Sequence, residues 1–183
     1  MRPGSENERV EGSMATDMTA RQVFPGAGMG PRALETIFWG GAAVAILDIT
    51  NAMTFWALFR GTEPHVILQS IAAGLLGKDA FSGGTPTAIL GALLHVFIAC
   101  GVAAVYYLAC VRWPTLTGRP LTFGAIYGAV VYLVMNHVVL PLSLASPGPF
   151  IPAWFLDNLI GHIVLVGPPV AIIARWSASR ARR

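Results

Sequence analysis

At 183 residues, 55% hydrophobic and only 11% charged, the chain carries far less charge than the roughly 25% of a soluble globular domain, so lipid rather than water is the solvent for most of it. The net charge of +3 does not mark a nucleic-acid binder, because the Lys and Arg residues sit at segment ends and form no patch interleaved with aromatics. The two cysteines, Cys100 and Cys110, lie about 15 Å apart along one apolar segment; they are out of disulfide reach, lack zinc or redox spacing, and read as small core residues.

Residues 1–33 are rich in Gly, Glu, Arg, Met and Ser and have no hydrophobic period, which predicts a disordered cytoplasmic tail. Met14 is an alternative start, and no signal peptide is expected, since the first apolar stretch begins late and is too long for an h-region. The first span is predicted over 36–59, where Asp48 is the one charge; about 36 Å of helix crosses a hydrocarbon core of about 30 Å with some tilt. A short helix over 63–77 opens on Thr62-Glu63-Pro64 and closes at Gly77. It is too short to span, and Ile67, Leu68, Ile71 and Leu75 recur on one face while His65 and Gln69 do not, so it is expected flat on the membrane surface or partly re-entrant.

The second span is predicted over 86–111, opening at Thr85-Pro86 and ending among Tyr106, Tyr107 and Trp113, the aromatics of a membrane interface. A tight polar turn over 112–120 leads into the third span, 121–145, which a Pro- and Gly-rich loop over 146–153 separates from the fourth, 154–176. Pro168-Pro169 predicts a kink in that last span, and residues 177–183 form a basic cytoplasmic tail. The expected fold is all-α: a domain over 34–176 with four transmembrane helices in an antiparallel bundle and one short interfacial helix between the first and second.

With the N-terminus inside, Arg2, Arg9, Arg21, Arg32, Arg112, Arg119, Arg175, Arg180, Arg182 and Arg183 fall on the cytoplasmic side, against Arg60 and Lys78 on the other. The positive-inside rule therefore puts both termini in the cytoplasm.

Counted from the outer ends of their spans, Asp48, Asn51, His95, Asn136, His137 and His162 fall at one depth, about 12 to 17 Å below the outer surface. Asn158 shares a helical face with His162 at i, i+4. Polar groups in hydrocarbon cost several kcal/mol unless partnered, so they face a bundle interior and often mark ion, proton or ligand sites. The row Gly91, His95, Ala99 and Ala103 and the small residues Gly41, Ala45 and Ala52 around Asp48 place those polar groups on close-packing faces, and Gly124 and Gly128 form a GxxxG on the third span. The same stripes admit a homo-oligomer. His137 fits the layer least, since Leu133 and Val130 precede it on its face, and His65 reads as a surface histidine.

Three kinds of role suit such a layer. Asp48 with His95 and His162 suits a proton or ion relay or a small-ligand site, because histidine titrates near neutrality. His95 and His162 suit the axial positions of a b-type haem. A hydrogen-bonded layer that only holds a structural, assembly or lipid-interacting protein together is the third. No HExxH, GxSxG, Walker loop, dinucleotide fingerprint or Cys-His dyad appears, so no metal site and no soluble-type catalytic residue is expected, and the role is read as non-enzymatic.

The second span from His95 to Tyr107, the short basic turn after it, Leu140-Pro141-Leu142 and the run Asn158-Leu-Ile-Gly161-His162 together resemble the YagU-like group of small bacterial inner-membrane proteins, over residues 34–176. Asp48-Ile-Thr-Asn51 and the segment from Leu68 to Gly77 match less clearly. The resemblance implies a bacterial inner-membrane location and attention to His95 and His162. It implies no reaction.

Overall fold

The computed structural model describes residues 31–146 and 148–180, and all regular structure among them is helical. Five helices follow in order: α1 (Pro31–Arg60), α2 (Pro64–Leu76), α3 (Gly84–Arg112), α4 (Pro120–Leu142) and α5 (Pro152–Arg180). Four of them, all but α2, are long and apolar enough to cross a membrane, the shortest being α4 with 23 residues or about 34 Å. The chain is thus an all-α, multi-pass membrane protein with a short helix between its first two spans. Most of the tail expected over 1–33 and the end of that expected over 177–183 lie outside the described residues, as does Met14; Pro31, Arg32 and Ala33 already belong to α1, and α5 continues to Arg180.

Prolines and glycines set the boundaries. Pro64, Pro120 and Pro152 open α2, α4 and α5, positions where a missing N–H costs nothing. Gly61 after α1 and Gly77 after α2 take φ of 66° and 61°, the left-handed turns that reverse the chain on either side of α2. α4 stops at Leu142, short of the expected Ala145. Ser143 turns extended there, and the Leu144 N–H donates to the Gly74 carbonyl at 2.9 Å, which ties the end of α4 to α2.

The four spans pack in the order α3, α1, α5, α4, with α1 against both α3 and α5, and α4 against α5. Small residues make each contact close. Gly41 of α1 abuts Cys100 of α3 so tightly that an added Cβ would come within 2.9 Å of the Cys100 backbone; Cβ atoms on Gly124 and Gly167 would each meet the opposing backbone of α5 or α4. The stripes that admitted a homo-oligomer are therefore occupied within one chain. The main core joins Val44 and Ala45 of α1, Ala99, Ala103 and Tyr106 of α3, Val131 of α4 and Val166, Val170, Ala171 and Ala174 of α5. At the Arg112 end of the bundle, the Ser177 hydroxyl donates to the Arg32 carbonyl at 3.1 Å and closes α5 on α1.

α2 packs along the first turns of α3. Gly91 sits directly on the Leu68 carbonyl, and the Gln69 side-chain amide donates to the Gly84 carbonyl at 3.0 Å and to the Thr87 hydroxyl at 3.3 Å. Of the face predicted from apolar spacing, Ile67 is buried but Leu75 is 57% exposed, and Gln69, expected off that face, is buried. The reason is the tie to α3: a buried side-chain amide needs acceptors, and the Gly84 carbonyl and Thr87 hydroxyl at the start of α3 supply them.

α4 and α5 both contain a wide π turn, Met135–Val139 and His162–Val166. Each ends shortly before a proline, Pro141 or Pro168. A proline ring clashes with the carbonyl four residues back and deprives it of a donor; widening the preceding turn lets the Leu140 N–H reach Met135 and the Gly167 N–H reach His162, so both helices continue through their prolines. At Pro168-Pro169, where a kink is expected, α5 runs on unbroken behind this π turn.

Candidate functional site

α3 and α4 do not pack closely. Near the Arg112 end they are bridged by the Tyr127 hydroxyl, which donates to the Val102 carbonyl at 2.6 Å, and by the Tyr106 and Tyr127 rings, 4.9 Å between centroids. Toward the other end the gap between them holds a cavity of about 360 Å³, floored by α1 and α5 and walled on its far side by Ile67, Ser70, Ile71 and Gly74 of α2. Most of its wall is aliphatic or aromatic.

Five of the polar residues singled out in the sequence face this space: Asp48 from α1, His95 from α3, Asn136 from α4, and Asn158 and His162 from α5. Antiparallel helices bring groups of equal depth together, and the small residues beside each group let the backbones approach. Gly128 packs directly on the His162 carbonyl, and Gly91 and Ala99 flank His95 on its buried face.

The hydrogen bonds fix the rings. His162 donates from Nδ1 to the Asn158 carbonyl at 2.9 Å, which leaves Nε2 as the lone-pair nitrogen of the neutral ring; the Tyr132 ring stands edge-on at 5.7 Å. His95 donates from Nε2 to the Ala45 carbonyl at 3.0 Å, a bond between α3 and α1 that leaves Nδ1 as its acceptor. Asn136 donates to the Tyr132 carbonyl at 3.0 Å, within its own helix. Asp48 comes within 4.0 Å of His162 Nδ1, ion-pair reach, but that N–H is already directed to the Asn158 carbonyl. The Asp48 side chain is 25% exposed, and its opening is the cavity.

The other two residues lie elsewhere. Asn51 does not line the cavity; its amide donates to Asp157 Oδ2 at 2.9 Å across the α1 and α5 interface, where Gly161 gives it room. His137 is exposed, turned away from the cavity and bonded to the Leu133 carbonyl of its own helix at 3.1 Å. His65 is a surface residue paired with Glu63 at 3.1 Å.

Asp157, an acidic group in the expected fourth span, is absent from the residues singled out in the sequence: it stands one residue before Asn158 but only three residues in from Trp154, shallower than the polar layer by a depth count. α1 and α5 thus share two stacked polar pairs, Asp48 with His162 and Asn51 with Asp157.

A second cavity, about 420 Å³, adjoins the first and shares Trp56, Asn136, Leu140, Trp154 and Asn158 with it. It reaches Arg60 and the chain before α5 at Phe150 and Ile151. Trp56 and Trp154, 5.3 Å between centroids, stand where the two meet, and the Arg60 guanidinium lies over Trp56 at 5.9 Å. Among the described residues, no group of three or more His, Cys, Asp or Glu side chains is arranged to hold a metal ion. No family model, no curated protein and no solved structure matches the chain.

Proposed function

We propose that this protein binds a small, largely apolar molecule inside the membrane, in the cavity between α3 and α4, with Asp48, His95, Asn136, Asn158 and His162 as its polar contacts. The observation that carries this reading is the cavity itself: about 360 Å³ of mostly apolar wall on which polar groups from four different spans converge. Small-molecule sites have this make-up, within about 300 to 1,000 Å³. A layer serving only as interhelical glue would close on itself, as Asn51 and Asp157 do, instead of facing open space.

The approach of Asp48 to His162 favours a second reading, a proton relay through that pair. It involves fewer groups, since His95 is engaged with Ala45. The bis-histidine haem reading fits less well. Two axial ligands need lone pairs directed into one space, whereas His95 has committed Nε2 to a backbone carbonyl, and the usual donor nitrogen is lost.

The surroundings of the site complete the proposal. Arg112, Arg175 and Arg180 gather at one end of the spans and Arg60 and Lys78 at the other, which supports cytoplasmic termini in a bacterial inner membrane and an α2 at the opposite interface. Kinship with the YagU-like group belongs to the same proposal and rests on His95 to Tyr107 and Asn158 to His162.

The test is ligand retention. Ala52 lines the cavity without contributing a polar group, so Ala52→Leu fills space and spares the hydrogen bonds. Native mass spectrometry of the mildly extracted wild-type protein is expected to show a bound small molecule that Ala52→Leu loses while remaining folded. An adduct that persists undiminished in Ala52→Leu, or a wild-type protein that carries none and gains no thermal stability from any member of a small-molecule panel, overturns the reading.

A further inference from the structure

The charge balance of the cavity selects among small molecules. Asp48 is the one acidic residue on its wall, and no Lys or Arg lines it. The carboxylate has His162 Nδ1 at 4.0 Å as its nearest basic atom, and that atom's proton is spent on the Asn158 carbonyl at 2.9 Å. A carboxylate withdrawn from water needs a positive or proton-donating partner, and the protein supplies none in good geometry.

The remaining wall suits a cation. Trp56 and Trp154 both line the cavity, and among aromatic side chains the indole face attracts cations most strongly. The Trp56 ring already accepts one: the Arg60 guanidinium lies 5.9 Å from its centroid on the side of the second cavity. Arg60 does not neutralise Asp48, because twelve residues of helix place it about 18 Å away, at the exposed end of α1. The aliphatic side chains of Ile49, Ile67, Ile98 and Val139 suit hydrocarbon, and a single carboxylate on the wall suits one organic positive charge better than a hydrated inorganic ion.

We infer that the ligand is an organic cation, a substituted ammonium carrying an apolar group, with its charge at Asp48 and its apolar part between the Trp56 and Trp154 rings and the aliphatic wall. This inference rests on the binding-site reading above and adds the ligand's charge to it.

The experiment compares two probes of one shape. Benzyltrimethylammonium and its uncharged isostere neopentylbenzene are titrated against the full chain in lipid nanodiscs, with protein-free nanodiscs as the blank and tryptophan fluorescence as the signal. The cation is expected to bind about tenfold more tightly than the isostere. Asp48→Asn should abolish that preference, and Asp48→Glu should restore part of it. Binding of the isostere alone, or equal binding of the two, overturns the cation while leaving the binding site in place; an undiminished preference in Asp48→Asn moves the charge away from this carboxylate and overturns it too. If neither probe binds wild type, the cation inference fails; if the small-molecule panel also leaves its thermal stability unchanged, the binding-site reading fails with it.

Discussion

The contact between α4 and α5 and the space between α3 and α4 lie side by side in one bundle and are built on opposite principles. Along the first, Gly124, Gly128 and Gly167 bring two backbones together until no methyl group fits. Across the second, two helices of similar composition stand apart, bridged by Tyr127 and Tyr106 at one end and by α2 at the other. In lipid, hydrophobicity does not press helices together, so contact is made where side chains are small and space persists where they are not. The difference separates residues that hold the bundle from residues that face a ligand.

The contrast is broken most severely at the glycines. A Cβ at residue 167 would lie 1.8 Å from the Gly124 carbonyl oxygen, so Gly167→Ala is expected to force α4 and α5 apart. Overpacking of this kind costs about 1 to 3 kcal/mol or more; reversible denaturation in detergent, together with the folded yield, measures it. Gly101, with nothing within 4 Å of its Cβ position, is the control, and Gly101→Ala should leave stability unchanged or slightly raised.

A smaller effect is expected at the closed polar pair. Asn51→Ala strands Asp157 at the α1 and α5 interface and should cost about 1 to 2 kcal/mol, and a double-mutant cycle with Asp157→Ala should recover a coupling of about 0.6 to 1.7 kcal/mol. At the open site the order reverses. Asp48→Asn removes a charge that lacks a good partner, so stability should change by less than about 1 kcal/mol while ligand retention is lost. An Asp48→Asn protein as destabilised as Asn51→Ala would show that Asp48 belongs with the bundle's ties. The least effect is expected from His137→Leu, which touches neither the cavity nor a neighbouring helix and should leave folded yield and ligand retention at wild-type levels.

Several features of the site were legible beforehand because they depend on depth and on residue size. Counting along spans placed Asp48, His95, Asn136 and His162 at one level, and the Gly and Ala stripes pointed to the faces that pack. Rotation about a helix axis is a weaker inference, but it served at His137: Leu133 and Val130 on its face set it apart from the layer, and adjacent helical residues point about 100° apart, so Asn136 faces the cavity while His137 does not. Gln69 was misplaced because a polar side chain reads as outward-facing until the acceptors that satisfy its amide, the Gly84 carbonyl and the Thr87 hydroxyl, are known. Asp157 was overlooked because a depth count puts it nearer the span end than the layer, and its significance lies in the Asn51 amide on a different helix.

The sequence by itself determined the solvent, the number of spans, the chain reversals at proline and glycine, and the level at which polar groups sit, because hydropathy, backbone restriction and the rise per residue are local properties. Tertiary structure alone decided which interface is closed and which is open. That choice depends on pairs of backbones meeting at Gly41, Gly124 and Gly167, on the Tyr127 hydroxyl that reaches the Val102 carbonyl, and on an α2 folded against α3. None of these is a property of one segment; each arises from the fit of two.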